Sequence, residues 1–218
     1  MEIDKSLITT ISENGGTDIL SELGEITLDL IVDNDAINQI PIIGTLKSIY
    51  KITNSISDHL FVQKILKFLR ELETLSDKEK SEMKSKIDNE SDNKVGETLL
   101  EIINKIDDNN KPKIIAVIFK SYINGEIDFK TFQKFSQIVN KSYLPDLLKL
   151  TIFFRGQPIT NEYSSSLLSM GLIKISEKKY SGQVSLRSLS ERQMFEYKLN
   201  DDGKKLMYIL YPQFEVIS

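Results

Sequence analysis

The longest run of helix-spaced apolar positions in the chain is Pro41–Leu72, PIIGTLKSIYKITNSISDHLFVQKILKFLREL. Leu46, Ile49, Ile52, Ile56 and Leu60 make one stripe, continued by Phe61, Ile65, Phe68, Leu69 and Leu72. Lys47, Lys51, Asn54 and Asp58 fall on the other face. Recurrence at three and four residues predicts an amphipathic helix whose stripe is buried by its neighbours. The stripe drifts over Asn54–Ser57, and Ser57 is of the residue type that caps a new helix. Charges interrupt every window of the roughly 20 apolar residues that a membrane span requires.

The preceding segment predicts a partner helix. Thr17 caps it, and Ile19, Leu20, Leu23, Ile26, Leu30 and Ile31 form its stripe as far as Asp33. Asp18, Glu22, Glu25, Asp29, Asp33 and Asp35 give it one sign of charge. The following arm carries Lys47, Lys51, Lys64, Lys67 and Arg70 against Asp58 and Glu71. A charge-segregated helical hairpin over residues 17–72 is the simplest arrangement. Asn34–Gly44 is its connection, and Pro41 disfavours helical geometry at Ile40.

Other elements follow from local signals. Ile3–Ser12 is a short helix stopped by Asn14-Gly15-Gly16. Ser76-Asp77-Lys78-Glu79 is a capping box that opens a highly charged helix. Lys94–Asp107 is amphipathic, with Val95, Leu99, Ile102, Ile103 and Ile106 inward. Pro112 sits in the first turn of the next helix, where its missing N–H is harmless. Asn124–Phe129 has the outline of an EF-hand loop, but its ligand positions would be Lys120, Tyr122 and Thr131. Calcium requires oxygen ligands there, with a bidentate carboxylate last. The stretch reads instead as a helical corner: Gly125 turns, Ile127 packs back, and Asp128 caps Phe129–Asn140. Tyr143–Phe154 is one more helix, and a soft domain boundary lies near Gly156, dividing a helical body (1–155) from a tail (156–218).

The tail changes character. Thr160–Met170 is helical, Leu172–Ser176 and Phe195–Leu199 are short strands, and Asn200-Asp201-Asp202-Gly203 opens a last helix through Tyr211. That order is similar to the tail of a winged-helix domain. The fold class expected is therefore mostly α: a multi-helix bundle with a C-terminal winged-helix-like subdomain carrying a small β-hairpin. A DNA-reading helix needs Arg, Lys, Asn or Gln at base edges and phosphates. Thr160–Leu172 offers Asn161 but has no Arg or Lys. The loop between the strands carries Lys178, Lys179, Arg187 and Arg192, the residues that would touch phosphate.

Composition narrows the chemistry. The chain has 218 residues, no cysteine and a net charge of −4. Disulfides, zinc–thiolate sites and cysteine nucleophiles are excluded, and bulk charge does not favour nucleic acid. The N-terminus lacks a signal-peptide pattern, so a cytoplasmic protein is expected. Richness in Ile, Lys and Asn suggests an AT-rich bacterial genome. His59 is the single histidine and lies inside the amphipathic run, where it reads as an ordinary helix residue. No GxxxxGK[ST] loop or GxGxxG turn is present. Asp107-Asp108 and Asp201-Asp202 sit at helix ends, where acids cap and complement the dipole. No catalytic residue, metal or cofactor is expected.

A wider pattern runs from Lys94 to Leu210: Gly96-Glu97-x-Leu99-Leu100, Ile114–Phe119, Tyr122-Ile123-x-Gly125-x-Ile127-Asp128-Phe129-x-x-Phe132, Asp146-Leu147, Leu168-x-x-x-Leu172-Ile173, and Tyr197-x-Leu199-x-x-x-Gly203. It resembles small bacterial helical proteins with a winged-helix-like tail, some of which are grouped with the abortive infection alpha family. The resemblance implies a role in anti-phage defence and supplies no catalytic residue. Two functional readings follow. One is a non-enzymatic effector acting through a protein partner or an anionic membrane surface. In that case Lys47, Lys51, Lys64, Lys67 and Arg70 are the binding residues, and the chain sits peripherally at the inner face of the membrane when lipid is the partner. The other, less favoured, is a winged-helix DNA-binding transcriptional regulator using Lys178, Lys179, Arg187 and Arg192.

Overall fold

The computed structural model describes residues 2–12, 20, 25–28, 31, 35–50, 55–89, 94–154, 161–177 and 195–212. The protein is mostly helical with one two-stranded antiparallel sheet, and it divides into two compact units, Met1–Asn140 and Lys141–Ser218. The sequence boundary near Gly156 lies outside the described residues.

The first unit holds α1 (Glu2–Ser12), α2 (Asp35–Asn38), α3 (Pro41–Tyr50), α4 (Ile56–Leu72), α5 (Asp77–Asn89), α6 (Val95–Asn104), α7 (Lys111–Ile123) and α8 (Phe129–Lys141). The expected helix Ile3–Ser12 is present as α1, which packs against α3, α5 and α6 through buried Ile3, Leu7, Ile8 and Ile11. The capping box at Ser76 also forms. Ser76 N–H donates to Glu79 Oε2 at 2.8 Å, and Glu79 N–H donates to Ser76 Oγ at 3.3 Å. Only Met83 and Ile87 of the charged helix α5 are buried.

The long amphipathic run is two helices, and the break differs from the one expected. Ser55, not Ser57, caps α4, accepting from Asp58 N–H at 3.2 Å. Ser55 itself is non-helical, so the run is broken there. Leu46 is buried, while Ile49 and Ile56 are 43% and 74% exposed. From Ile65 onward the expected stripe is buried, and Val62 joins it. The acidic arm is not one continuous helix, because Glu25, Ile26 and Thr27 are non-helical. Gly24 just before them is a poor helix former, and the Ile26 carbonyl is taken by Gln63 Nε2 at 2.8 Å. Leu20, Ile26 and Ile31 are buried as the pattern required.

The core centres on α4, α7 and α8. Phe119 meets Phe68 at 5.7 Å and Phe132 edge-on at 5.5 Å, and Tyr122 meets Phe129 at 5.6 Å between ring centroids. Such offset and edge geometries suit the aromatic quadrupole. The corner joining α7 to α8 is the one expected. Gly125 has φ +75°, Ile127 is buried, and Asp128 Oδ1 accepts from Thr131 N–H at 2.8 Å.

The second unit holds α9 (Leu144–Leu147), α10 (Leu150–Phe154), α11 (Asn161–Ser169), β1 (Ile173–Glu177), β2 (Phe195–Leu199) and α12 (Asp201–Leu210). The single helix expected over Tyr143–Phe154 is split. The Leu148 carbonyl accepts from the Thr151 hydroxyl at 2.9 Å, and Lys149 N–H turns back to Asp146, a local bond that competes with helix continuation. Strands β1 and β2 pair in the register Ile173↔Leu199, Ile175↔Tyr197 and Glu177↔Phe195. Asn200 joins the hairpin to α12: its Oδ1 accepts from Gly203 N–H at 2.9 Å, and its amide donates to the Gly171 carbonyl at 2.7 Å. Gly203 is required, since a Cβ there would lie 2.0 Å from the Leu172 carbonyl oxygen.

Candidate functional site

Helix ends leave N–H and C=O groups without intrahelical partners, and in the first unit side chains from other helices supply many of them. Asp4 of α1 accepts from Gly96 N–H at 2.7 Å, at the start of α6. Thr10 Oγ1 accepts from Ile42 N–H at 3.0 Å, in the first turn of α3. At the carbonyl ends the donors are lysines. Lys64 reaches Ile106 just beyond α6 at 2.5 Å, and Lys111 reaches Asn140 in the last turn of α8 at 2.9 Å. Lys86 reaches Tyr122 in the last turn of α7 and stands 4.9 Å above its ring. A cation is favoured at a helix C-terminus by the macrodipole.

This arrangement determines where the basic residues of the sequence reading lie. Lys47 is exposed on α3 and bonds Asn38 Oδ1. Lys64 and Arg70 turn inward, Arg70 donating to the Leu20 carbonyl at 3.3 Å. Burial pushes the Lys64 ammonium down, with Asp107 opposing. Burial likewise lowers Lys67, Lys113 adds repulsion, and Glu25 and Asp108 oppose. Lys64, Lys67 and Arg70 share α4 and are each half-buried within the unit. Lys51 lies outside the described residues, as do Lys178, Lys179, Arg187 and Arg192. His59 is half-buried near the start of α4, and its imidazole makes no hydrogen bond or ion pair among the described residues. The EF-hand-like positions Lys120 and Tyr122 are helical, and Lys120 bonds Thr74 Oγ1 at 2.7 Å and lies 3.6 Å from Glu71.

Packing also creates a feature that periodicity did not reveal. A cleft of about 390 Å³ opens between the N-terminal part of α4 and one side of α6. Phe61 and Leu100 give it apolar walls; Asp58, Glu97, Glu101 and Asn104 give it polar ones, and none of its lining residues among the described ones is basic. Glu97 and Glu101 are one helical turn apart and therefore on one face of α6. Each has a lysine beside it, Lys94 at 3.2 Å and Lys105 at 2.5 Å. These pairs are more than a third exposed on most sides, so each contributes about 0–1 kcal/mol. The i,i+4 spacing of Glu97 and Glu101 was the one sequence signal available for this face; its meeting with Asp58 is tertiary.

No family model, curated protein or solved structure matches this chain. No group of three or more metal-ligating side chains occurs among the described residues, and no helix among them is long and apolar enough to cross a membrane.

Proposed function

We propose that this chain is a non-enzymatic helical interaction protein that works through protein contacts in the cytoplasm, with anti-phage defence, the role implied by its family resemblance, as its setting. The observation that carries the reading is the cleft between α4 and α6, where the start of α4 is left incompletely buried: Ile56 is 74% exposed and Phe61 half-buried. Ile56 and Phe61 offer a partner apolar surface to cover. Protein is favoured over lipid because Lys64 and Arg70 donate to carbonyls of their own unit and are not presented to phosphate. Two measurements test the reading. Expression of the full chain in a bacterial host should lower phage plating, and unchanged plating would remove the defence role. Sedimentation with anionic and neutral vesicles should leave the chain in the supernatant; pelleting with anionic vesicles alone would replace the protein partner with a membrane.

A second reading is a winged-helix DNA-binding regulator. It is supported by the order α11, β1, β2, α12 in the second unit and by the cations at 178, 179, 187 and 192 between the strands. It requires duplex binding that weakens steeply with salt. A flat salt response would end it.

A further inference from the structure

We propose that Asn124 is a site of spontaneous deamidation, restrained by Glu79, whose product loosens the junction of α5 with α7. The sequence supplies the reactive pair. Asn-Gly occurs at 14–15 and at 124–125, and the first of these lies outside the described residues. In such a pair the backbone nitrogen of the glycine attacks the side-chain carbonyl of the asparagine, and glycine has no Cβ to obstruct the approach. The corner between α7 and α8 presents the pair to solvent. Asn124, Gly125 and Glu126 are exposed, although Tyr122, Ile123 and Ile127 on either side are buried.

The step balances without an oxidant or a reductant. The Gly125 nitrogen loses its proton and bonds to Asn124 Cγ, and the Cγ–Nδ2 bond breaks as ammonia leaves. Water then opens the five-membered imide at one of its two carbonyls. Attack at one leaves an aspartate at position 124, and attack at the other leaves an isoaspartate.

Both reacting groups are engaged in the folded corner. Gly125 N–H donates to the Tyr122 carbonyl at 3.1 Å, and Asn124 Nδ2 donates to Glu79 Oε1 at 3.2 Å. A carboxylate only accepts, so the amide nitrogen and not the amide oxygen faces Glu79. Glu79 is fixed in turn by Ser76, whose N–H and hydroxyl donate to Oε2 at 2.8 and 2.7 Å. The Asn124 side chain is thus tied to the first turn of α5, and its Cγ reaches the Gly125 nitrogen only when that tie opens. Water can replace each of these exposed bonds, so the reaction is slowed and not abolished. Its product alters the junction. Two carboxylates then meet where an amide met one, and like charges at hydrogen-bonding range repel. The isoaspartate form also adds a methylene to the main chain next to Gly125, whose φ of +75° sets the turn that packs Ile127 back. Lys86 still donates to the Tyr122 carbonyl, so α5 keeps that tie to α7 while losing the one from Glu79.

The test incubates the full-length chain in heavy-oxygen water at one fixed, mildly alkaline pH. The peptides containing Asn14 and Asn124 are then mapped separately by mass spectrometry. The Asn124 peptide should acquire labelled carboxylate and separate into two isomers, slowly in the folded chain and at least about tenfold faster in guanidinium chloride, where both hydrogen bonds are gone. E79A removes the acceptor and should react about fivefold faster than the parent chain, the weight of one hydrogen bond. S76A loosens the cap but keeps the Glu79 carboxylate, and should stay within about twofold of the parent. N124D should lower the urea midpoint, with circular dichroism unchanged. An Asn124 peptide that stays unlabelled in the folded chain overturns the site. Equal rates in the parent and E79A, or in E79A and S76A, overturn the restraint by Glu79. A midpoint of N124D at or above the parent's overturns the loosening of the junction.

Discussion

Three glycines separate two kinds of cost at the scale of single residues. Gly44 lies inside α3 with its nearest obstacle, the Asn38 carbonyl, at 3.5 Å, so G44A should stabilise by about 0.5–1 kcal/mol through helix propensity alone. Gly96 is different: a Cβ there would lie 2.8 Å from Asp4 Oδ1, the atom that caps α6. At Gly203 the obstacle is backbone, 2.0 Å away, and cannot swing aside. G96A and G203A should each destabilise by about 1–3 kcal/mol or more, read as a fall in the urea midpoint; a midpoint at or above that of the parent chain would contradict these contacts. Glu79 adds a pH signature. Hydrogen bonds from the Ser76 hydroxyl and then its backbone N–H hold its carboxyl below the usual range, with Asn124 and Lys120 helping and desolvation opposing. A carboxyl lowered in the folded state adds stability that is full above its unfolded value and is lost as pH falls through its folded value. S76A should therefore cost about 1 kcal/mol at neutral pH. The deficit should shrink on acidification, and a pH-independent deficit would show that Glu79 is not the partner.

At the scale of elements, trans-capping is the recurring device. Lys111 is nearly fully buried, yet its partner Asp107 is 75% exposed. The pair is an anchored cation with a solvated acid, and not a buried ion pair. The Lys111 hydrogen bond is the first cause holding the Asp107 carboxyl low. In K111M that carboxyl should titrate closer to its ordinary value by NMR. Stability should change by less than about 2 kcal/mol, since a buried charge is exchanged for a residue that needs no solvation. An Asp107 titration unmoved by K111M would sever the link. The aromatic cluster is less tolerant. F119A removes the ring that joins α4, α7 and α8, and should cost about 3–5 kcal/mol in chemical denaturation. A loss below ~1 kcal/mol would mean that the cluster relaxes around the gap. Elements with strong local punctuation were legible from sequence: the capping box at Ser76, the corner at Gly125, and Asn200 before α12. The breaks at Ser55 and at Leu148–Lys149 were not, because serines competed for the first and a threonine hydroxyl created the second.

At the scale of the whole molecule, each compact unit has its own core, and the basic residues of α4 are half-buried at the edge of the first. On the reading of a protein partner, the chain is expected to remain in the supernatant with anionic vesicles, although its longest amphipathic run has the make-up of a membrane-surface helix. Sequence alone determined the helical class, because a 3.6-residue apolar period and local caps act within a few turns. It also marked the apolar stripe of α4 that enters the core, and it excluded cysteine chemistry outright. Only the tertiary structure decided which way the charges face. Lys64 and Arg70 lie on a helix face that periodicity marks as polar, but a polar face turns to solvent only when no neighbouring helix ends there. The Ile106 and Leu20 carbonyls lie within reach, and Lys64 and Arg70 donate to them. The α4–α6 cleft has the same origin. Asp58 lies about forty residues from Glu97, and only the packing of two helices against a shared core brings three carboxylates and two apolar walls around one opening.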